Sequence, residues 1–237
     1  MKALIVNIKV YYKMIFRNML IFISSYLVPI VFYLMFSAVF ISISEENKKT
    51  IIASMCIFAI LMSSYIGLPG NTVKYSNGEI KRAYIAGGIK LWHVFVCLGI
   101  NNIINCSLVS LFIILTAPVF FGAVVPSSIA YFASILLLSI LLSTLIGLLI
   151  GMVSKTENTS AIVSQMLFLP SLFISGVMMD VSILPDMMQY LSKVFPATHM
   201  CVLFAEMNQS SMIYMILLSI VILIIIFIIY KKKIISE

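Results

Sequence analysis

Charge is scarce in this chain of 237 residues: Lys, Arg, Asp and Glu make up 10% of it, against 62% hydrophobic residues. The mean hydropathy is +1.17. A soluble domain must clothe its outside in polar side chains, so this composition excludes one and leaves an integral membrane protein. The usual enzyme signatures are missing too. No G-x-x-x-x-G-K-[ST] is present to cradle phosphates, and neither H-E-x-x-H nor G-x-S-x-G occurs. Cys56, Cys97, Cys106 and Cys201 have no metal or disulfide spacing and read as small apolar side chains in helices. The chain itself is therefore expected to be no enzyme, with no metal or cofactor of its own.

What is present is a series of apolar runs, each near the ~20 residues a bilayer needs. They predict six spans at 19–43, 50–70, 91–116, 127–152, 159–179 and 211–230 in one membrane domain. No span holds Asp, Glu, Lys or Arg in its interior. Ion-driven carriers keep ionisable groups at membrane depth, so a proton-coupled carrier is disfavoured, while sodium sites built from carbonyls stay open. Residues 1–18 form an amphipathic pattern, with Lys2, Lys9, Lys13 and Arg17 opposite Leu4, Ile8, Tyr11 and Ile15. This predicts a helix lying in the membrane interface against lipid head groups.

An even number of spans puts both termini on one side. With the N-terminus cytoplasmic, twelve of the fifteen basic residues lie inside and only Lys48, Lys49 and Lys193 lie outside. The net charge of +7 is thus a topology signal and calls for no nucleic-acid partner. His93 and His199 then fall on opposite faces and cannot share a site.

Intramembrane polarity is confined to amides and hydroxyls. Asn101, Asn102 and Asn105 lie in the third span, Asn101 and Asn105 on one face, and Gln165 lies in the fifth. Interhelical hydrogen bonds are the plain reading of such groups. In the fourth span Ser139, Ser143, Gly147 and Gly151 recur every four residues, a smooth strip for close helix packing. Phe58, Met62 and Tyr65 crowd the second span; Met166, Phe168 and Phe173 crowd the fifth. They suit ordinary packing or a pathway for bulky apolar cargo. Residues 180–210 are too apolar for a solvated loop and predict short helices dipping back from the outer face, broken at Pro185 and Pro196.

The polar stretch 74–90 carries five charges between uncharged spans, and a short helix over 79–86 is expected there, ending at Gly87-Gly88. Three motifs give it a context. Asn77-Gly78-Glu79-Ile80-Lys81-Arg82 is similar to E-x-G-T-[IL]-[KE]-[RL], with the acidic group displaced by two places. Leu169-Pro170-Ser171-Leu172-Phe173-Ile174-Ser175-Gly176, followed by Leu184-Pro185, resembles P-x-x-x-x-[SG]-G…[LM]-P. Phe195-Pro196-Ala197-Thr198-His199 resembles [LFN]-P-x-[TR]-[YHP]. In this order they resemble the type-2 permease family of ATP-binding-cassette (ABC) exporters.

The resemblance implies an all-α permease of six transmembrane helices that pairs with a second permease copy and two ABC ATPase subunits, which would bind the ATP and Mg. It implies a cytoplasmic coupling helix with Asn77, Gly78, Glu79, Ile80, Lys81, Arg82 and Tyr84 as ATPase contacts, and Lys155 and Glu157 as a lesser second contact. An outer lid over 180–206 with Pro170, Gly176, Pro185 and Pro196 is implied, and a pathway lined by the second and fifth spans, with Phe58, Met62, Tyr65, Gln165, Phe168 and Phe173. An uncharged passage suits a hydrophobic or amphipathic cargo such as a peptide toxin, bacteriocin, antimicrobial or drug. A non-transporting membrane protein that sequesters membrane-active peptides is the other reading, and it assigns no task to 74–90. The abundance of Ile, Lys, Asn and Ser hints at an AT-rich bacterial source.

Overall fold

A computed structural model describes residues 26–76, 81, 86, 87 and 91–235, the last four by backbone alone. The expected interfacial helix over 1–18 lies outside the described residues. Among the described residues the regular structure is helical throughout. Eight α-helices are described among these residues, in chain order: α1 Val28–Ile43, α2 Ile51–Ser76, α3 Leu91–Phe121, α4 Ile129–Val153, α5 Glu157–Phe173, α6 Asp186–Ser192, α7 Pro196–Ala205 and α8 Gln209–Ile235. Backbone polar groups surrounded by hydrocarbon must pair within their own segment, which is why long apolar runs become helices. Four of the described helices, α2, α3, α4 and α8, are long and apolar enough to cross a membrane.

Capping chemistry sets several starts. Pro196 sits in the first turn of α7, where a missing N–H costs nothing. Ser128 Oγ accepts from Tyr131 N at 3.4 Å to open α4, and Thr156 Oγ1 accepts from Thr159 N at 3.2 Å to open α5. The helix ends differ from the expected spans in two instructive places. The second run was expected to stop at 70, before the polar stretch, yet α2 continues through Gly67-Leu68-Pro69-Gly70 to Ser76. It does so by widening into a π turn over Met62–Gly67, in which Leu68 N donates to Ser63 O. Pro69 has no N–H to offer Tyr65 O, and the wider turn accommodates that loss. In contrast, α5 ends at Phe173, three residues after Pro170, and Gly176 turns the chain at φ +89°.

α2 and α4 form the centre. Two-thirds of the apolar window of each is buried, against 33% in α3 and 11% in α8. The small-residue strip of α4 explains the intimacy of its contact with α2. A Cβ on Gly147 would strike the Ser64 carbonyl, and one on Gly151 would meet Pro69 O at 2.7 Å and the Thr72 side chain. Ser139 and Ser143, on the same strip, are fully buried. α8 packs along one side of α4 and leaves most of its apolar surface bare.

Three apolar clusters stack along α2. Ile52, Met55 and Cys56 pack with Tyr33, Val109 and Ile113; Phe58, Leu61 and Tyr65 pack with Leu142, Phe168 and Met200; Leu68 packs with Leu91, Phe95, Leu98 and Met152. The first marks what we term the lid end, with the 3-10 turn Glu45–Lys49 and the 122–128 loop joined by Val124 N to Lys48 O at 2.9 Å. The third marks the foot, where Lys74, Lys155 and Lys231 lie.

Candidate functional site

At the foot, the last turn of α2 meets the first turn of α5. Lys74 Nζ lies 3.4 Å from Glu157 Oε2, with both side chains about half exposed. The carboxylate of Glu157 also sits in the first turn of α5, where it complements the helix dipole. Such an exposed pair contributes at most ~1 kcal/mol, so its interest is positional: it joins the start of the 74–90 stretch to the 154–158 connection. Lys155 is exposed beside it. Of the other expected contacts, Lys81 has helical backbone and is half-buried, whereas Asn77, Gly78, Glu79, Ile80, Arg82 and Tyr84 lie outside the described residues.

The six residues expected along a pathway divide into two groups. Phe58, Tyr65 and Phe168 are buried within this chain's own middle cluster, Phe58 and Phe168 with ring centroids 6.1 Å apart. Gln165 and Phe173 lie on the open face of α5, and Met62 is half-buried at its turn in α2. On α2 the open side continues through Ile66, Gly67, Gly70 and Asn71 to Lys74, and a Cβ on either glycine would meet nothing within 4 Å.

The segment expected as a lid is built around carbonyls at the end of α6. A seven-residue helix has more unpaired terminal groups than internal bonds, so its stability depends on outside partners. Thr198 Oγ1 donates to Ser192 O at 2.6 Å, His199 Nε2 lies 2.9 Å from Lys193 O, and Tyr214 OH donates to Val194 O at 2.8 Å. His199 Nδ1 lies 3.1 Å from Ser211 Oγ, and its ring stacks on Tyr214 at 4.0 Å. Pro196 starts the helix that presents Thr198 and His199, Pro185 accepts at its carbonyl from Met188 N and Gln189 N, and Gly176 and Pro170 end α5. Nearby at the lid end, a hydrogen bond from Lys48, reinforced by its charge, holds the exposed Glu45 carboxyl below its ordinary range.

One polar centre was only partly foreseen. Of the three asparagines in α3, Asn102 is the one that ties helices together. Its Nδ2 donates to Ser64 Oγ and to Thr144 Oγ1, both at 2.9 Å, and its Oδ1 accepts from Ser63 Oγ at 3.0 Å. Asn101 Oδ1 and Asn105 Oδ1 are buried without a partner. The signal in the sequence is Ser63-Ser64 just ahead of Gly67-Leu68-Pro69-Gly70, a polar pair beside a helix-weakening tract. Among the described residues no cluster of His, Cys, Asp or Glu could hold a metal ion.

A family description, ABC-2 type transporter, matches residues 2–207. The chain belongs to the ABC-2 type transporter family. This ABC-2 chain is thus a permease, the transmembrane subunit of an ABC transporter, partnered by an ABC ATPase subunit rather than being the catalytic ATPase itself. It is a multi-pass membrane protein. Among curated proteins none matches it.

Proposed function

We propose that this permease is one half of an exporter channel that moves a hydrophobic or amphipathic cargo, in the class of peptide toxins, bacteriocins, antimicrobials or drugs, out of a bacterial cell. Two permease chains pair, as a homodimer or with a close paralogue, and two ATPase subunits bind beneath them, holding the ATP and Mg. The foot is cytoplasmic, with both termini; the lid end faces outward; the helices supply six spans and an interfacial segment over 1–18. The coupling region is 74–90, with 154–158 as its second contact.

The observation that carries the reading is the meeting of Lys74 with Glu157, because it draws both expected ATPase-facing segments to one surface at the basic end of the bundle. The cargo class is supported by spans without interior charges and by the open apolar face of α5, where Ile162, Met166, Leu169 and Phe173 are exposed. The pathway then touches Met62, Gln165 and Phe173 directly, while Phe58, Tyr65 and Phe168 shape it from behind.

Co-purification tests the reading. The wild-type chain brings down a P-loop ATPase subunit from its native membrane, and the triple variant Glu79→Lys, Lys81→Glu, Arg82→Glu loses it while still inserting in the membrane. Undiminished ATPase recovery with the triple variant overturns the coupling assignment. With the wild-type complex in proteoliposomes, ATPase activity rises with apolar peptides or drugs and stays unmoved by sugars.

A further inference from the structure

The geometry points to a hinge in α2 at the π turn Met62–Gly67, clamped by Asn102 of α3. Four observations converge on it.

The first is the backbone. The turn replaces the tight i→i−4 pattern with a bond from Leu68 N to Ser63 O, five residues back, and Pro69 leaves Tyr65 O without its regular donor. A helix bends where its ladder is interrupted, and here the interruption lies in mid-helix.

The second is what each half touches. The half before the turn, Ile51–Leu61, is buried in the two clusters toward the lid, the second of which also takes Tyr65 of the turn, while Leu68, the first residue after it, joins the cluster at the foot with Tyr75 packed against it. The turn therefore sits at a boundary between packing units, and that boundary is polar.

The third is the clamp. Asn102 engages both serines of the turn, accepting from Ser63 and donating to Ser64, and anchors the node to Thr144 of α4. In apolar surroundings these bonds hold one backbone arrangement against its alternatives, because an unpaired amide there is costly.

The fourth is room. On one side α4 lies close against α2, with Gly147 on the Ser64 carbonyl of the turn and Gly151 on the Pro69 carbonyl and the Thr72 side chain after it. On the other side Gly67 and Gly70 face open space. Glycine also tolerates the backbone change that bending requires. In the last turn of the half that moves, Lys74 is paired to α5 through Glu157. Displacement at the foot therefore reaches α5 and swings about the Asn102 node. The hinge stands on the fold alone; its use in transport rests on the exporter reading above.

Hydrogen exchange on the full chain in nanodiscs of phosphatidylcholine and phosphatidylglycerol tests it. Residues 62–70 are expected to exchange faster than the flanks 51–61 and 71–76. Asn102→Leu, which removes both side-chain bonds to the turn, raises exchange over 62–70 by a further factor of at least about ten, with 51–58 unchanged. Ser64→Ala gives a smaller rise, and adding it to Asn102→Leu gives no further one. Uniform protection along 51–76 overturns the hinge, as does an Asn102→Leu profile equal to wild type or one that loosens all of α2 evenly. In the assembled complex, vanadate trapping changes exchange at 62–70 in the wild type and not in Asn102→Leu. A chain that recruits no ATPase counts against the exporter reading, while exchange on the chain alone still decides the hinge.

Discussion

Glycine shows how differently one residue type can act in one protein. Gly147 is a seat for the Ser64 carbonyl of α2, and any side chain there must push two helices apart. Gly70 sits in α2 with nothing near its missing Cβ. The same substitution therefore has opposite signs at the two sites. Gly147→Ala is expected to destabilise by about 1–3 kcal/mol through overpacking. Gly70→Ala is expected to be neutral or to stabilise by up to about 1 kcal/mol through helix propensity. Thermal unfolding in detergent, followed by loss of the monodisperse chromatographic peak, reads both. Equal effects would contradict the packing. The spacing of Ser139, Ser143, Gly147 and Gly151 made the first glycine legible as a packing residue. Nothing in the sequence separated Gly70 from it, because open space is a property of neighbours.

At the scale of elements, the lid illustrates a motif whose chemistry is distributed. Thr198 and His199 were visible as part of the Phe195–His199 motif, but the carbonyls they satisfy lie six residues away, and Tyr214 reaches back twenty. Thr198→Val and Tyr214→Phe each remove one donor to the end of α6. Each is expected to cost about 1 kcal/mol, and the pair more than either alone, because α6 is too short to hold itself. Limited proteolysis after 186–195 is expected to accelerate in the double variant while α4 stays protected. Unaltered cleavage would mean the lid is held by apolar contact alone. The foot differs in kind: Lys74 and Glu157 are both exposed, so exchanging their charges should leave unfolding unchanged.

For the whole molecule, the prediction concerns sidedness. In a chain with its four native cysteines replaced, Lys49→Cys in the exposed turn at the lid end should react with a membrane-impermeant maleimide in intact cells. Asn158→Cys at the foot should react only after permeabilisation. The reverse pattern would invert the topology, and labelling of both in intact cells would mean that the two ends do not face opposite sides.

The sequence by itself determined that the chain is helical and membrane-embedded, since so little charge cannot clothe a soluble surface and hydrocarbon forces each segment to satisfy its own backbone. It also carried the family, through motifs short enough to be read along one strand of text. The tertiary structure alone decided which sides of those helices meet. The first half of α2, Ile51–Leu61, is apolar nearly all round, so its faces look alike to any periodicity, and lipid is no less hospitable to Leu or Ile than a neighbouring helix is. Selection among faces then falls to close backbone contact and a few hydrogen bonds. That is why Asn102 rather than Asn101 or Asn105 became the node, and why Phe58 and Tyr65 turned inward while Phe173 stayed open. It is also why the helix ran on through Pro69, with its π turn set against Gly147.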